Sequence, residues 1–259
     1  CYSSVLPAQR QGEVYHRYIL GVYDLYERLT SRFPKILFES CASGGGRFDP
    51  GMLYYAPQCW TSDDSGAVER IKIQYGTSYG YPISSMGTHV SMTPNHQVNR
   101  RTPLHTRANV AYFGTFGYEL DLNALTREEQ EEVKKQITFM KQYGHLFQFG
   151  TFYRLKSPFK NNVSAWMVVS EDKKEAVVGW YRVLNGINLP CERLRLQGLD
   201  ASMAYEIIGD GPAHYGDELM YAGLVTTDVS SGQADKPEEL SQDFESRLYI
   251  LKAVKGGRQ

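Results

Sequence analysis

Cysteine is scarce in this sequence of 259 residues, and the few cysteines are widely separated. The four are Cys1, Cys41, Cys59 and Cys191, and no two of them form a CxxC pair. That spacing excludes zinc-ribbon and thioredoxin-like sites. Disulfide-stabilised domains are usually smaller and richer in cysteine. We therefore expect reduced thiols and a cytoplasmic protein.

Long apolar runs and an excess of charge of one sign are also missing. No stretch reaches the ~18 apolar residues of a membrane-spanning helix, and 28 basic residues face 29 acidic ones, for a net charge of −1. Broad electrostatic attraction to nucleic acid or to a membrane is therefore excluded. The chain starts at a cysteine with no signal-type apolar segment. We expect it to be a piece of a longer protein.

Several catalytic signatures are absent as well. The histidines His89, His96 and His105 are too far apart for a zinc-binding pair on one helix or strand. The glycine cluster at 44–46 is not followed by the Lys-Ser/Thr of a phosphate-binding loop, and no Gly-x-Ser-x-Gly nucleophile turn is present. We expect neither a metal nor a cofactor.

Residues 1–147 alternate between helix-like and strand-like patterns. The helical segments are 15–29, 67–75 and 126–144, the last with a Thr126–Glu129 capping box. The strand-like segments are 36–38, 58–61, 83–87 and 108–116, with a polar loop at 93–106. Such alternation predicts parallel strands with crossover helices. Four units are half of a closed (β/α)₈ barrel, or part of an open doubly wound sheet.

Residues 148–259 have a different pattern, without long amphipathic helices. Strand-like segments separated by turn residues lie at 163–169, 176–183, 194–196, 204–208 and 248–254. We predict an antiparallel β-sandwich as a second domain. The polar stretch 230–241 is predicted to be an exposed loop.

Two polar clusters follow predicted strands. In the first, Gly44 and its neighbours would allow backbone N–H groups to approach a ligand closely, although a plain turn is also compatible. In the second, Asp63 and Asp64 stand at a strand end, where barrel enzymes place catalytic groups. One of these carboxyls could donate a proton, while Ser62, Asp63 or Asp64 could instead cap the next helix.

Together the two clusters resemble the α-galactosidases of glycoside hydrolase family 36. The resemblance is carried by residues 39–49 (Glu-Ser-Cys-Ala-Ser-Gly-Gly-Gly-Arg-Phe-Asp) and 58–64 (Gln-Cys-Trp-Thr-Ser-Asp-Asp). The segments 2–7 and 70–76 are similar to that family too, and a weaker likeness reaches the last predicted strand. The resemblance implies the second half of a (β/α)₈ catalytic barrel (1–147) followed by a carboxyl-terminal antiparallel β-sandwich (148–259).

The resemblance also implies a reaction. Members of the family remove terminal α-1,6-linked galactose from melibiose, raffinose and related oligosaccharides, with retention of configuration and two aspartates. Asp63 matches the acid/base, and the nucleophile, in a Lys-x-Asp motif, is absent from this chain. Cys41 and Gly44 match positions that line the galactose pocket, and Trp60 either packs near Asp63 or fills the core. Without a nucleophile, we expect the chain alone to be inactive.

Other polar residues receive structural or secondary roles. Arg47 and Asp49 could hold the glycine loop through a charge-assisted bond, and Asp64 is the candidate helix cap. Three side chains of the loop after the third strand could reach the leaving-group side: Asn95, His96 and Arg100.

Two alternatives to hydrolysis remain, and the assembly is implied only by the resemblance. A galactosyl transferase of the raffinose or stachyose synthase type would differ only in the acceptor that attacks the intermediate. A non-catalytic carbohydrate-binding module would use the sandwich and the many aromatic residues. Family members are often homotetramers, so we expect a homo-oligomer of the full-length protein, with α-galactoside oligosaccharides as its ligands.

Overall fold

The computed structural model describes residues 2–186, 192–209, 211–226 and 243–254. These residues belong to two compact units, Cys1–Asp63 and Asp64–Gln259. No helix of the described residues is both long and apolar enough to cross a membrane. Cys1, Cys191 and the polar stretch 230–241 lie outside the described residues.

The first unit contains one long helix and a pair of short parallel strands. Its elements are a 3₁₀ turn (Ala8–Arg10), helix α1 (Glu13–Arg32), strand β1 (Glu39–Ser40), helix α2 (Pro50–Tyr55) and strand β2 (Gln58–Trp60). Ser40 of β1 lies opposite Cys59 of β2 in the parallel register. The predicted helix over 15–29 is confirmed.

The predicted strand at 36–38 is wrong. Those residues are not in a strand, and the side chains of Ile36 and Leu37 are 55% and 89% exposed. A strand requires a hydrogen-bonding neighbour, and here the pairing with β2 begins only at Glu39. The apolar run therefore precedes the strand rather than forming it.

The second unit begins with alternating helices and strands. The elements are α3 (Ala67–Thr77), a 3₁₀ turn (Ile83–Ser85), β3 (Met86–Ser91), α4 (Leu104–Ala111), β4 (Thr115–Glu119), a 3₁₀ turn (Leu122–Ala124) and α5 (Arg127–Phe149). Strands β3 and β4 are parallel, with His89 opposite Gly117. The capping box of Thr126 and Glu129 at the start of α5 is confirmed.

The predicted strand at 108–116 and the helix end at Gly144 are both wrong. Residues 104–111 form α4, because Leu104, Ala108 and Ala111 are buried at helical spacing, and a short apolar run does not by itself distinguish helix from strand. Helix α5 continues through Gly144 to its cap at Gly150. Glycine costs only about 1 kcal/mol inside a helix, less than the burial of two large side chains in the following turn contributes.

The rest of the second unit is antiparallel. The strands are β5 (Thr151–Lys156), β6 (Val163–Val169), β7 (Glu175–Arg182), β8 (Arg193–Leu194), β9 (Ala204–Ile207), β10 (His214–Tyr215), β11 (Leu224–Val225) and β12 (Glu245–Val254), and a short helix, α6, spans Gly216–Tyr221. Six strands form one sheet in the order β10-β9-β12-β7-β6-β5, and β8 pairs with β11.

The six-stranded sheet is buried on both faces. Side chains such as Trp166 and Tyr181 pack into a cluster with residues of α4 and α5. The alternate residues, including Met167 and Trp180, pack against Leu194 and its neighbours on the opposite face. Two buried faces explain the nearly continuous apolar runs of β6 and β7.

Candidate active site

The two polar clusters of the first unit are in direct contact. Gly44 is buried with a φ of +79°, and a β carbon at this position would lie 2.6 Å from the Cα of Ser62 and 3.1 Å from the amide nitrogen of Asp63. The N–H of Gly45 donates to the carbonyl oxygen of Thr61 at 3.0 Å. The glycines therefore allow the turn to lie directly against the backbone that carries Asp63.

The glycine turn is held by bonds of its own. The N–H of Ala42 donates to the carbonyl oxygen of Gly44 at 3.0 Å. The Arg47 guanidinium donates to the carbonyl oxygen of Cys41 at 2.9 Å and to the hydroxyl of Tyr18 at 2.8 Å. Arg47 thus fixes the start of the turn through a backbone carbonyl, and not through Asp49 as the sequence suggested.

Asp49 has a different role, which the sequence did not reveal. It is the N-cap of α2, and its Oδ1 accepts from the N–H of Met52 at 2.9 Å and from the hydroxyl of Tyr23 at 2.6 Å. The bond to this carboxylate raises the pKa of Tyr23 to about 12. Tyr23 is separated from Asp49 by 26 residues, so no local motif could have predicted the contact.

The two described cysteines, both free thiols, differ in exposure. Cys41 is exposed just beyond β1, whereas Cys59 lies in β2 with only 1% of its surface exposed. Burial raises the pKa of the Cys59 thiol, and its Sγ donates to the carbonyl oxygen of Trp60 at 3.4 Å. The thiol of Cys59 is therefore a packing group. Trp60, next in β2, is half-buried.

The two adjacent aspartates occupy different environments. Asp63 is exposed, directly after the backbone that contacts Gly44. Asp64 is half-buried, and its Oδ1 accepts from the N–H of Gly66 at 3.2 Å. Gly66 itself is the N-cap residue of α3. Asp64 is therefore not the predicted cap, although it binds the capping residue.

The loop between β3 and α4 uses its polar side chains internally. Asn95 is buried and donates to the hydroxyl of Ser65 at 3.2 Å, and Arg100 forms an ion pair with Glu69. His96 is exposed. Two of the three residues assigned from sequence to the leaving-group side are therefore engaged with the segment that follows Asp63.

The other charged groups that the structure describes do not assemble into a metal site. In the described part of the chain, no three His, Cys, Asp or Glu side chains are arranged to hold a metal ion.

His89 Nδ1 lies 3.7 Å from Glu119 Oε2. Burial lowers the pKa of Arg70 to about 10, and its guanidinium donates to the carbonyl oxygen of Gly87 at 2.7 Å.

Comparison with known proteins identifies the family. The melibiase family model matches residues 1–150, and the model of the glycosyl hydrolase family 36 C-terminal domain matches residues 163–251. The chain belongs to glycoside hydrolase family 36. Its fold is accordingly the carboxyl-terminal half of a (β/α)₈ barrel followed by an antiparallel β-sandwich, as the resemblance implied.

Individual family 36 relatives are similar over nearly the whole chain. Alpha-galactosidase AgaA of Geobacillus stearothermophilus is 56% identical over 97% of this chain, which spans 33% of that protein. A crystal structure of an AgaA variant in complex with raffinose has a TM-score of 0.89 at 55% identity, with 98% of this chain and 34% of that one covered. The alpha-galactosidase of Lactobacillus brevis has a TM-score of 0.90 at 51% identity, covering 100% of this chain and 34% of its own. The chain therefore spans about a third of the length of these relatives.

Proposed function

We propose that this chain acts as the carboxyl-terminal part of a retaining α-galactosidase. The longer enzyme would hydrolyse terminal α-1,6-linked galactose from oligosaccharides of the melibiose and raffinose type. The observation that carries the proposal is the contact between the Gly44 turn and the backbone of Ser62 and Asp63. It joins the two family motifs into one site that contains an exposed carboxyl.

Asp63 is assigned as the general acid and base. A retaining glycosidase needs two carboxyl groups ~5–5.5 Å apart, one to attack the anomeric carbon and one to protonate the departing oxygen. Asp63 would protonate the glycosidic oxygen in the first step, and its carboxylate would take a proton from water in the second. The attacking carboxylate is assigned to a segment that precedes Cys1.

Three further residues of the two motifs are assigned to the substrate. Cys41 is small and exposed, so it leaves space for the hydroxyls of a pyranose ring. Gly44 is assigned to the same pocket, where its turn packs against the backbone of Ser62. Trp60 follows Cys59 at the end of β2 and is half-buried, so part of its ring surface is open to a sugar face.

The substrate class is supported by what relatives bind. The AgaA complex described above contains raffinose, and a further AgaA variant was crystallised with stachyose. For this protein we propose the same class of α-galactosides, residues 1–147 and 148–259 as the barrel and sandwich domains, a homotetrameric full-length enzyme and a cytoplasmic location. Size-exclusion chromatography with light scattering of the full-length protein tests the assembly.

The role of Asp63 is tested by changing the leaving group. In the full-length enzyme, Asp63→Asn should lower kcat/KM for raffinose by about 10²–10⁴-fold, which is the usual contribution of general acid catalysis. The loss for p-nitrophenyl α-galactoside should be much smaller, because p-nitrophenolate departs without a proton. An equal loss on both substrates would show that Asp63 is structural.

The assignment of the nucleophile is tested by the chain alone. Purified residues 1–259 should show no turnover of p-nitrophenyl α-galactoside, because covalent catalysis lacks its first step. Turnover by this chain at a rate comparable with that of the full-length enzyme would show that it carries its own nucleophile.

A further inference from the structure

The chain directly after Asp63 is held by the loop between β3 and α4. Asn95, 4% exposed, donates from Nδ2 to the hydroxyl of Ser65 at 3.2 Å. Ser65 is itself only 2% exposed. This bond links the residue two positions after Asp63 to a loop 30 residues further along the chain.

Asn95 is itself rigidly placed. Its Oδ1 accepts from the N–H groups of Gln97 and Val98 at 3.0 and 3.2 Å, and its own N–H donates to the carbonyl oxygen of Arg100 at 2.9 Å. The side chain therefore closes a turn with one end and binds Ser65 with the other. A side chain that is hydrogen-bonded through both its oxygen and its nitrogen has few alternative rotamers.

A second link involves Glu69 and Arg100. Glu69 lies in the first turn of α3, and its Oε1 pairs with Nη1 of Arg100. Its Oε2 is buried without a hydrogen-bond partner among the described residues. A β carbon on Gly66 would lie 2.5 Å from that Oε2. The carboxylate of Glu69 thus packs against Gly66, the residue three positions after Asp63. Its negative charge is compensated by Arg100.

We propose that Asn95 and Arg100, acting on Ser65 and Glu69, are positioning residues for the proton transfer by Asp63. This inference rests on the proposed function, since it takes Asp63 to be the acid and base. The two links hold Ser65 and Glu69, which follow Asp63 in the chain by two and six residues. A displacement of about 1 Å can cost on the order of 100-fold in rate, so the links bear on catalysis without contacting the substrate.

The proposal predicts a specific kinetic pattern in the full-length enzyme. Arg100→Met and Ser65→Ala should each lower kcat/KM for raffinose by about 10-fold or more, a part of the ~10²–10⁴-fold of general acid catalysis. For p-nitrophenyl α-galactoside the loss should be less than about threefold, because its leaving group needs little proton assistance. Arg100→Lys, which keeps a cation beside Glu69, should recover most of the raffinose activity.

A matched control separates positioning from general destabilisation. Arg28→Met removes an exposed ion pair with Asp24 in α1 and should leave both kcat/KM values and their ratio unchanged. A thermal unfolding curve of every variant should show that the protein is fully folded at the assay temperature. Ser65→Ala removes a single oxygen atom and serves if Arg100→Met fails to fold.

The outcome distinguishes this inference from the proposed function. Suppose that Asp63→Asn lowers kcat/KM more for raffinose than for p-nitrophenyl α-galactoside, whereas Arg100→Met and Ser65→Ala lower kcat/KM equally for the two substrates or not at all. The positioning role is then wrong and the acid/base assignment stands. If Asp63→Asn is itself not selective, the acid/base assignment fails first.

Discussion

A β carbon on Gly44 would lie 2.6 Å from the Cα of Ser62. Real side chains do not approach a backbone atom this closely, so the two family motifs can meet only because residue 44 is glycine. The positive φ of +79° adds a second requirement for glycine at the same position.

Gly44→Ala should therefore disturb the site more than an ordinary glycine substitution. The left-handed conformation alone costs roughly 1–2 kcal/mol for a residue with a β carbon, and displacement of the Ser62 backbone adds about 1–3 kcal/mol. Urea unfolding measures the loss of stability, and raffinose hydrolysis by the full-length enzyme measures the effect on the site.

Gly209→Ala is the matched control for this substitution. Gly209 has a φ of +84°, but among the described residues no heavy atom beyond its own chain neighbours lies within 4 Å of a β carbon placed there. It therefore shares the conformational cost and lacks the steric one. Equal losses of stability in the two variants, with activity kept in both, would contradict the close contact at Gly44.

A second prediction concerns a buried hydrogen-bond chain between the six-stranded sheet and α4. The Tyr181 hydroxyl donates to the carbonyl oxygen of Asn109 at 2.7 Å and accepts from Nε1 of Trp166 at 3.1 Å. Tyr181→Phe leaves both groups without this partner and should lower the free energy of unfolding by about 1–3 kcal/mol. Tyr221→Phe, at a residue that is 76% exposed, should change it by less than about 0.5 kcal/mol. Similar effects of the two substitutions would disagree with the buried network.

The third prediction is a loss of stability at alkaline pH. Burial raises the pKa of Tyr118 to about 12, from an ordinary value of 10.0, and also raises those of Tyr112 and Tyr181. The folded state therefore holds the phenol protons more tightly than the unfolded state does. The resulting contribution to stability is complete below pH 10 and falls as the pH rises towards 12.

Tyr118→Phe tests the assignment. The free energy of urea unfolding, measured from about pH 8 to about pH 11, should fall less steeply in this variant than in the wild type, because one titrating group has been removed. An identical slope in both proteins would show that Tyr118 does not contribute. The value near pH 8 also reports the bond from its hydroxyl to Gln136 Oε1, 2.8 Å long.

The sequence predicted elements best where a local signal was strong. The Thr126–Glu129 capping box and the antiparallel pair β6 and β7 were predicted because each depends on residues close in the chain. The run 108–116 was assigned wrongly because its apolar residues suit a buried helix and a buried strand equally, and only packing decides between them. The strand expected at 36–38 failed because pairing depends on where its neighbour lies.

In the candidate site too, the local motifs could be predicted from the sequence and the long-range contacts could not. The two motifs around Gly44 and Asp63 were located from sequence, and the structure brings them into contact. The bonds that support them join residues 26 to 31 positions apart, Tyr23 to Asp49, Ser65 to Asn95 and Glu69 to Arg100. No spacing rule connects such residues, so these contacts required the fold.

The most direct test of the account is the stereochemistry of azide rescue. In the full-length enzyme, Asp63→Asn is supplied with p-nitrophenyl α-galactoside and sodium azide, and the product is examined by proton NMR. If Asp63 is the acid and base, the nucleophile remains intact, two displacements occur, and the product is α-galactosyl azide. If Asp63 were instead the attacking group, azide would displace the leaving group once and give β-galactosyl azide, which would contradict the central claim.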